Sequence, residues 1–233
     1  MKLSKERLKL LIKEELSEAI AASMGDAGTR ARAISIKDEW DNLGVNSERD
    51  SGAKDFLRSL WDNTGSNWAK NMGFTTGGRG DPAAEPWSAA TISTAVDDDR
   101  VKSVRHSDYR NAAVGRRAEW DAADANSAED VEFVAFSPEE IDSSPGDLRC
   151  HRRSGGTHCD VCIDPGCGTI IGGNVHQKVT ERPASDAPEA DMIIAKNARK
   201  NQLGEKLSIT KQDLINLIKE EIQAAAICGV VSK

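Results

Sequence analysis

A chain of 233 residues that is 38% hydrophobic can bury one sizeable core, while a mean hydropathy of −0.52 leaves material for solvated extensions. A formal charge of −7 and a pI near 5.2 oppose non-specific binding to nucleic acid or anionic lipid, since both draw on an excess of Lys and Arg. No secretory signal is visible at the amino end, and the apolar stretch 224–231 is too short to cross a bilayer, so the expectation is a cytosolically made chain with no membrane span.

Residues 3–20 read as one amphipathic helix, with Ser4 as cap and Leu8, Leu11, Ile12 and Leu16 on one side at three-and-four spacing. The same helix recurs near the other end, where residues 4–19 align without gaps on 210–225 with eight of sixteen positions identical. Leu214, Leu217, Ile218 and Ile222 form the matching stripe. A helix of this length is marginal alone in water, so each stripe needs a partner. Two readings stand: both helices cover the same domain, or they are equivalent adhesive faces that join an oligomer or a larger assembly. The organisation expected is an amino-terminal arm over 1–25, one α+β domain over 26–200, and a carboxyl-terminal arm over 205–233.

After a break at 25–28, residues 34–43 and 53–72 read as helices carrying Trp40, Phe56, Leu57, Leu60, Trp61 and Trp68 on apolar, core-forming faces. Residues 73–86 shift to Gly, Thr, Asp and Pro and read as a surface loop, in which Arg79-Gly80-Asp81 is a loop sequence and not an adhesion motif. The loop ends at Glu85-Pro86-Trp87-Ser88-Ala89-Ala90, where a buried helix starts with Ser88 in its first turn. Ser107 then caps a helix over 108–124. From 131 the pattern changes to short alternating runs at 131–136, 147–151, 157–163, 169–172, 175–180 and 192–196, which read as a small antiparallel sheet or open barrel. Helices followed by strands make an α+β class.

Chemistry concentrates at two places. Ser88 at a helix start lies beside unpaired backbone N–H groups, which suit either a simple cap or an acyl-transfer nucleophile with its oxyanion site. Alternation along a strand puts His158, Asp160 and Cys162 on one face, with Cys159, Val161 and Ile163 on the other. Five cysteines include Cys159 and Cys162 at CxxC spacing. Opposite faces argue against a shared zinc ion, so buried free thiols in a reducing compartment are the expectation, with zinc or a disulfide among Cys150, Cys159 and Cys167 as alternatives.

The order Pro-Trp-Ser-Ala-Ala, Pro145-Gly146-Asp147-Leu148, Gly156-Thr157-His158 and Gly172-Gly173-Asn174 resembles that of papain-like cell-wall hydrolases of the CHAP amidase type, and most closely the domain of unknown function 2272 family. The resemblance covers roughly residues 50–195. It implies a papain-like fold with Ser88 as nucleophile, His158 as general base, and Asn174, or Asp160 in its place, as the residue that orients the base. Trp87, His106 and Tyr109 are expected to line the groove. CHAP amidases carry Cys where this chain has Ser88, and an alcohol depends more heavily on its base than a thiol does. The terminal helices resemble short Leu-Ile-Lys-Glu-Glu helices of tailed-phage structural proteins. Together these imply one of two functions without metal or cofactor. One is a virion-borne peptidoglycan amidase or endopeptidase; the other is an oligomeric virion structural or adaptor protein of tail, baseplate or capsid that keeps the fold with a silent groove. Both would be made in the host cytoplasm and join other virion proteins through the terminal helices.

Overall fold

The computed structural model describes residues 27–123 and 131–196. The chain divides into two units, Met1–Lys200 and Asn201–Lys233, and all the described residues lie in the first. The stripes of Leu8, Leu11, Ile12, Leu16, Leu214, Leu217, Ile218 and Ile222 fall outside the described residues, as does Cys228.

Among the described residues five α-helices precede the strands: α1 (Ala27–Asn42), α2 (Lys54–Asn63), α3 (Asn67–Asn71), α4 (Ser88–Val96) and α5 (His106–Ala122). Six strands follow: β1 (Val134–Phe136), β2 (Leu148–Arg153), β3 (Gly156–Cys162), β4 (Thr169–Val175), β5 (Lys178–Pro183) and β6 (Met192–Ala195). They form one open antiparallel sheet in the order β1-β6-β2-β3-β4-β5. The class is α+β, with helices packed on the sheet, and the open sheet decides between the two expected forms. Among the described residues no helix is long and apolar enough to cross a membrane.

The expected helix over 53–72 is broken in two. Gly65 takes φ +65°, and Ser66 starts α3 by accepting the Ala69 N–H at its side chain. Strand periodicity over 175–180 is likewise interrupted by His176 and Gln177, both at positive φ, which turn β4 into β5 as a two-residue hairpin.

The core centres on α4. Eight of its nine residues are buried, and it touches α1, α2, β3 and β4. Its small side chains permit this: a Cβ at Gly173 would lie 1.9 Å from Thr91 Oγ1, so helix and sheet close on each other only with glycine there. Trp87, just before the helix, stacks on Trp40 at 5.7 Å and donates its indole N–H to the buried Glu48 at 2.6 Å. Trp87 is therefore a core residue, and the expectation that it lines the groove is corrected: the turn into α4 points the indole inward.

The Gly-rich loop that delivers Ser88 is well ordered. The Arg58 guanidinium donates to the carbonyls of Gly73, Thr75 and Gly80, and a Cβ at Gly80 would meet the Met72 carbonyl oxygen at 2.0 Å. Trp61 Nε1 donates to the Pro82 carbonyl at 2.9 Å, anchoring the same loop to α2.

Four cysteines are paired, Cys150 with Cys159 and Cys162 with Cys167, which corrects the expectation of free thiols. Antiparallel register sets Cys150 directly opposite Cys159, with Cα atoms 4.0 Å apart. Alternation sends Cys159 into the main core cluster and Cys162 into a smaller one with Cys167 and Ile170. Each short loop closure is worth about 2–3 kcal/mol. Iodoacetamide applied to the native protein is expected to leave these four residues unlabelled until a reductant is added, and reduction is expected to lower Tm. Labelling of any of them without reductant in peptide mass spectrometry would disprove the pairing.

Candidate active site

Two helix starts meet at one cleft. Ser88 opens α4 and His106 opens α5, and both line a cleft of about 790 Å³ together with Trp61, Trp68, Arg105 and Arg153. The first backbone N–H groups of any α-helix have no carbonyl partner within it, so each start presents donors and the positive end of a dipole. Trp61 is core and cleft wall at once, while Trp68 is 41% exposed, contrary to its expected place in the core.

Ser88 Oγ and His106 Nε2 share a hydrogen bond of 2.6 Å. This is a hydroxyl and an imidazole at the separation a nucleophile and its base require. They are brought together by the path between the helices: Asp97 takes the left-handed C-cap of α4, and Ser93 Oγ bonds both the N–H and the carbonyl of Ser103. His106 Nδ1 in turn is hydrogen-bonded to the hydroxyl of Tyr109, three residues on along α5. Tyr109 is buried behind His106 and is not part of the cleft wall, so its expected groove-lining place is corrected to a supporting one.

His158 does not bond Ser88. Its Nε2 bonds Asp160 Oδ1 at 3.0 Å, as expected of residues sharing a strand face, and its ring lies 5.1 Å from that of His106 and 5.3 Å from that of His151. The second Asp160 oxygen accepts from Arg182 at 3.3 Å. A Cβ at Gly172 would lie 1.8 Å from Asp160 Oδ1, so the glycine makes room for the carboxylate. Asp160 holds the position behind His158. Asn174 sits at positive φ at the β4 end of the hairpin, with no hydrogen bond to a histidine among the described residues. The Gly172-Gly173 pair thus serves packing, and its proximity to Asn174 in sequence is not a catalytic signal.

Burial, reinforced by the charges of His158, Arg153, Arg110 and His151, pushes the His106 pKa well below that of free imidazole. Burial likewise lowers His151 to about 4 and raises the Tyr109 hydroxyl well above its ordinary value. Burial alone would raise Asp160, but its hydrogen bond from His158, with the charges of His158, Arg182 and His151, holds the carboxyl below the usual range.

A neutral His106 has two tautomers. With Nδ1–H donated to Tyr109, Nε2 accepts the Ser88 hydroxyl and the pair is ready to react, but the phenol proton then has no acceptor among the described residues. With Tyr109 donating to Nδ1, Nε2–H points at Ser88, whose own hydroxyl proton then has no acceptor among the described residues. Each arrangement thus leaves one hydroxyl proton without an acceptor, and the hydrogen bonds alone do not choose between them. The role of His106 has a signal in the sequence, a histidine at a helix start shortly after the Ser88 helix, but not one that ranks it above His158. Among the described residues no group of three or more His, Cys, Asp or Glu side chains is arranged to hold a metal ion. Comparison of the chain with family models, curated proteins and solved structures finds no match.

Proposed function

We propose that this chain is an acyl hydrolase of papain-like, CHAP-type architecture that uses Ser88 as nucleophile on a peptidoglycan amide, carried on a phage particle by its terminal helices. The observation that carries the reading is the 2.6 Å hydrogen bond between Ser88 Oγ and His106 Nε2 at a helix start on the wall of an open cleft. His106, and not His158, takes the role of base. In the reactive tautomer Nε2 removes the hydroxyl proton as Ser88 attacks the carbonyl, and the backbone N–H groups at the start of α4 receive the oxyanion. The same nitrogen then returns the proton to the departing amine, and water releases the acyl group by the reverse sequence. Tyr109 turns the imidazole but carries no charge to stabilise the imidazolium, unlike the carboxylate of a Ser-His-Asp site.

A second reading is favoured by two observations. Ser88 is only 1% exposed, and His106 and Tyr109, which continue its hydrogen-bonded chain, are buried with it. These features suit a virion structural or adaptor protein in which the buried polar cluster merely satisfies itself. Mass spectrometry of soluble products from bacterial peptidoglycan separates the two. Wild type is expected to release defined muropeptides or stem peptides, and Ser88→Ala none. A folded wild-type protein that releases nothing between about pH 5 and 9 refutes the hydrolase reading.

A further inference from the structure

The arginines of the described residues divide into two groups. Most are engaged: Arg30, Arg32, Arg58, Arg116 and Arg149 donate to backbone carbonyls, while Arg100, Arg110, Arg117, Arg152 and Arg182 meet carboxylates. The side chains of Arg49, Arg79, Arg105 and Arg153 make neither kind of contact, and of these four Arg105 and Arg153 line the Ser88 cleft. Arg105 is the exposed residue immediately before α5 and lines the cleft there. Arg153 ends β2 at the turn Ser154-Gly155, which forms the facing part of the wall, and its charge reaches His106. Arg153 is exposed at the cleft and meets no carboxylate at ion-pair distance among the described residues, and partial desolvation, opposed by the charge of Asp160, lowers its pKa.

The cleft also holds two acids, and neither neutralises these cations. Asp108 accepts from the hydroxyls of Ser103 and Ser107, and Glu85 forms no ion pair among the described residues. Unpaired charges of both signs on one wall fit a ligand that itself carries charge, and the two arginines with two helix starts set the sign required nearest Ser88.

We propose that Arg105 and Arg153 bind a free carboxylate of a peptide substrate and thereby select which amide is presented to Ser88. The inference rests on the hydrolase reading for its last step, whereas the carboxylate site itself is tested by binding alone. A planar guanidinium holds a carboxylate by two parallel hydrogen bonds, which a carboxamide cannot accept in the same way. Acidic peptides with terminal or side-chain carboxylates next to an amide, as in wall stem peptides, are the substrate class.

The experiment is calorimetric titration of the Ser88→Ala protein with diacetyl-L-Lys-D-Ala-D-Ala and with its C-terminal carboxamide. The acid is expected to bind at least about ten-fold more tightly, with the preference shrinking as salt is added. Arg153→Gln and Arg105→Gln in the same background are each expected to remove most of that preference. Arg152→Gln, altered on the same strand at a residue engaged with Asp191 and outside the cleft wall, is expected to keep it. Equal binding of acid and amide, binding of neither, or an unchanged preference in both cleft variants overturns the proposal. A preference for the acid without turnover by the wild type keeps the carboxylate site and removes the reaction. Turnover of peptidoglycan without such a preference does the reverse.

Discussion

His106→Ala is expected to lower kcat/KM for peptidoglycan fragments by between about a hundred- and ten-thousand-fold, the range that a positioned general base supplies. His158→Ala is expected to cost less than about ten-fold, because His158 touches Asp160 and the neighbouring rings but not the nucleophile. The pH profile gives an independent reading. A base works unprotonated, and burial holds His106 neutral to well below its ordinary pKa of 6.5, so the acid limb of kcat/KM is expected below pH 6.5. An acid limb at or above that value, or a folded His158→Ala protein as inactive as His106→Ala, would return the role of base to His158.

Asp160→Ala is expected to destabilise the fold by about 3–5 kcal/mol, the cost of removing one partner from a buried charged set. Asp160 is fully buried, and its loss strands the imidazole of His158 and the guanidinium of Arg182 at once. Urea unfolding at neutral pH measures the change. The dependence on acid has a definite sign. A carboxyl whose folded pKa is depressed stabilises the fold above its unfolded value near 4, and that contribution is lost as pH falls through the lower folded value. The advantage of wild type over Asp160→Ala should therefore narrow only in strong acid. His151 acts earlier: with its pKa lowered to about 4, the unfolded chain binds the proton first, so wild-type stability should begin to fall below about pH 6.5. A loss below about 1 kcal/mol for Asp160→Ala would mean that water reaches the cluster and replaces the carboxylate.

The two predictions divide the polar interior into a pair that faces the cleft and a set that holds the sheet. Arg110 extends the second set by gripping Asp191 with two hydrogen bonds of 2.9 and 3.0 Å, which tie α5 to the entry of β6. His106 lies at the junction, on α5 and against the ring of His158. Its orientation therefore depends on the packing of that helix as well as on Tyr109.

Much of the architecture was legible from local chemistry. Proline before an aromatic and a run of small residues placed the start of α4 at Ser88, and the two-residue period of β3 put His158 beside Asp160, because backbone geometry enforces both over a few residues. What the chain could not disclose were relations set by packing. Which of the four histidines meets Ser88 depends on how the turn from Asp97 to Arg105 docks, and that turn has no periodicity to read. The cysteine pairs depend on strand register, which moves every side chain to the other face with a slip of one residue. Trp87 turns inward because Trp40 and Glu48, distant in sequence, supply a stacking face and an acceptor. The amino-acid sequence by itself thus determined the α+β class, most of the elements and the place of Ser88 at a helix start. Only the tertiary structure decided which histidine meets Ser88, which cysteines pair and what forms the wall of the cleft, since each joins residues whose mutual distance no local rule constrains.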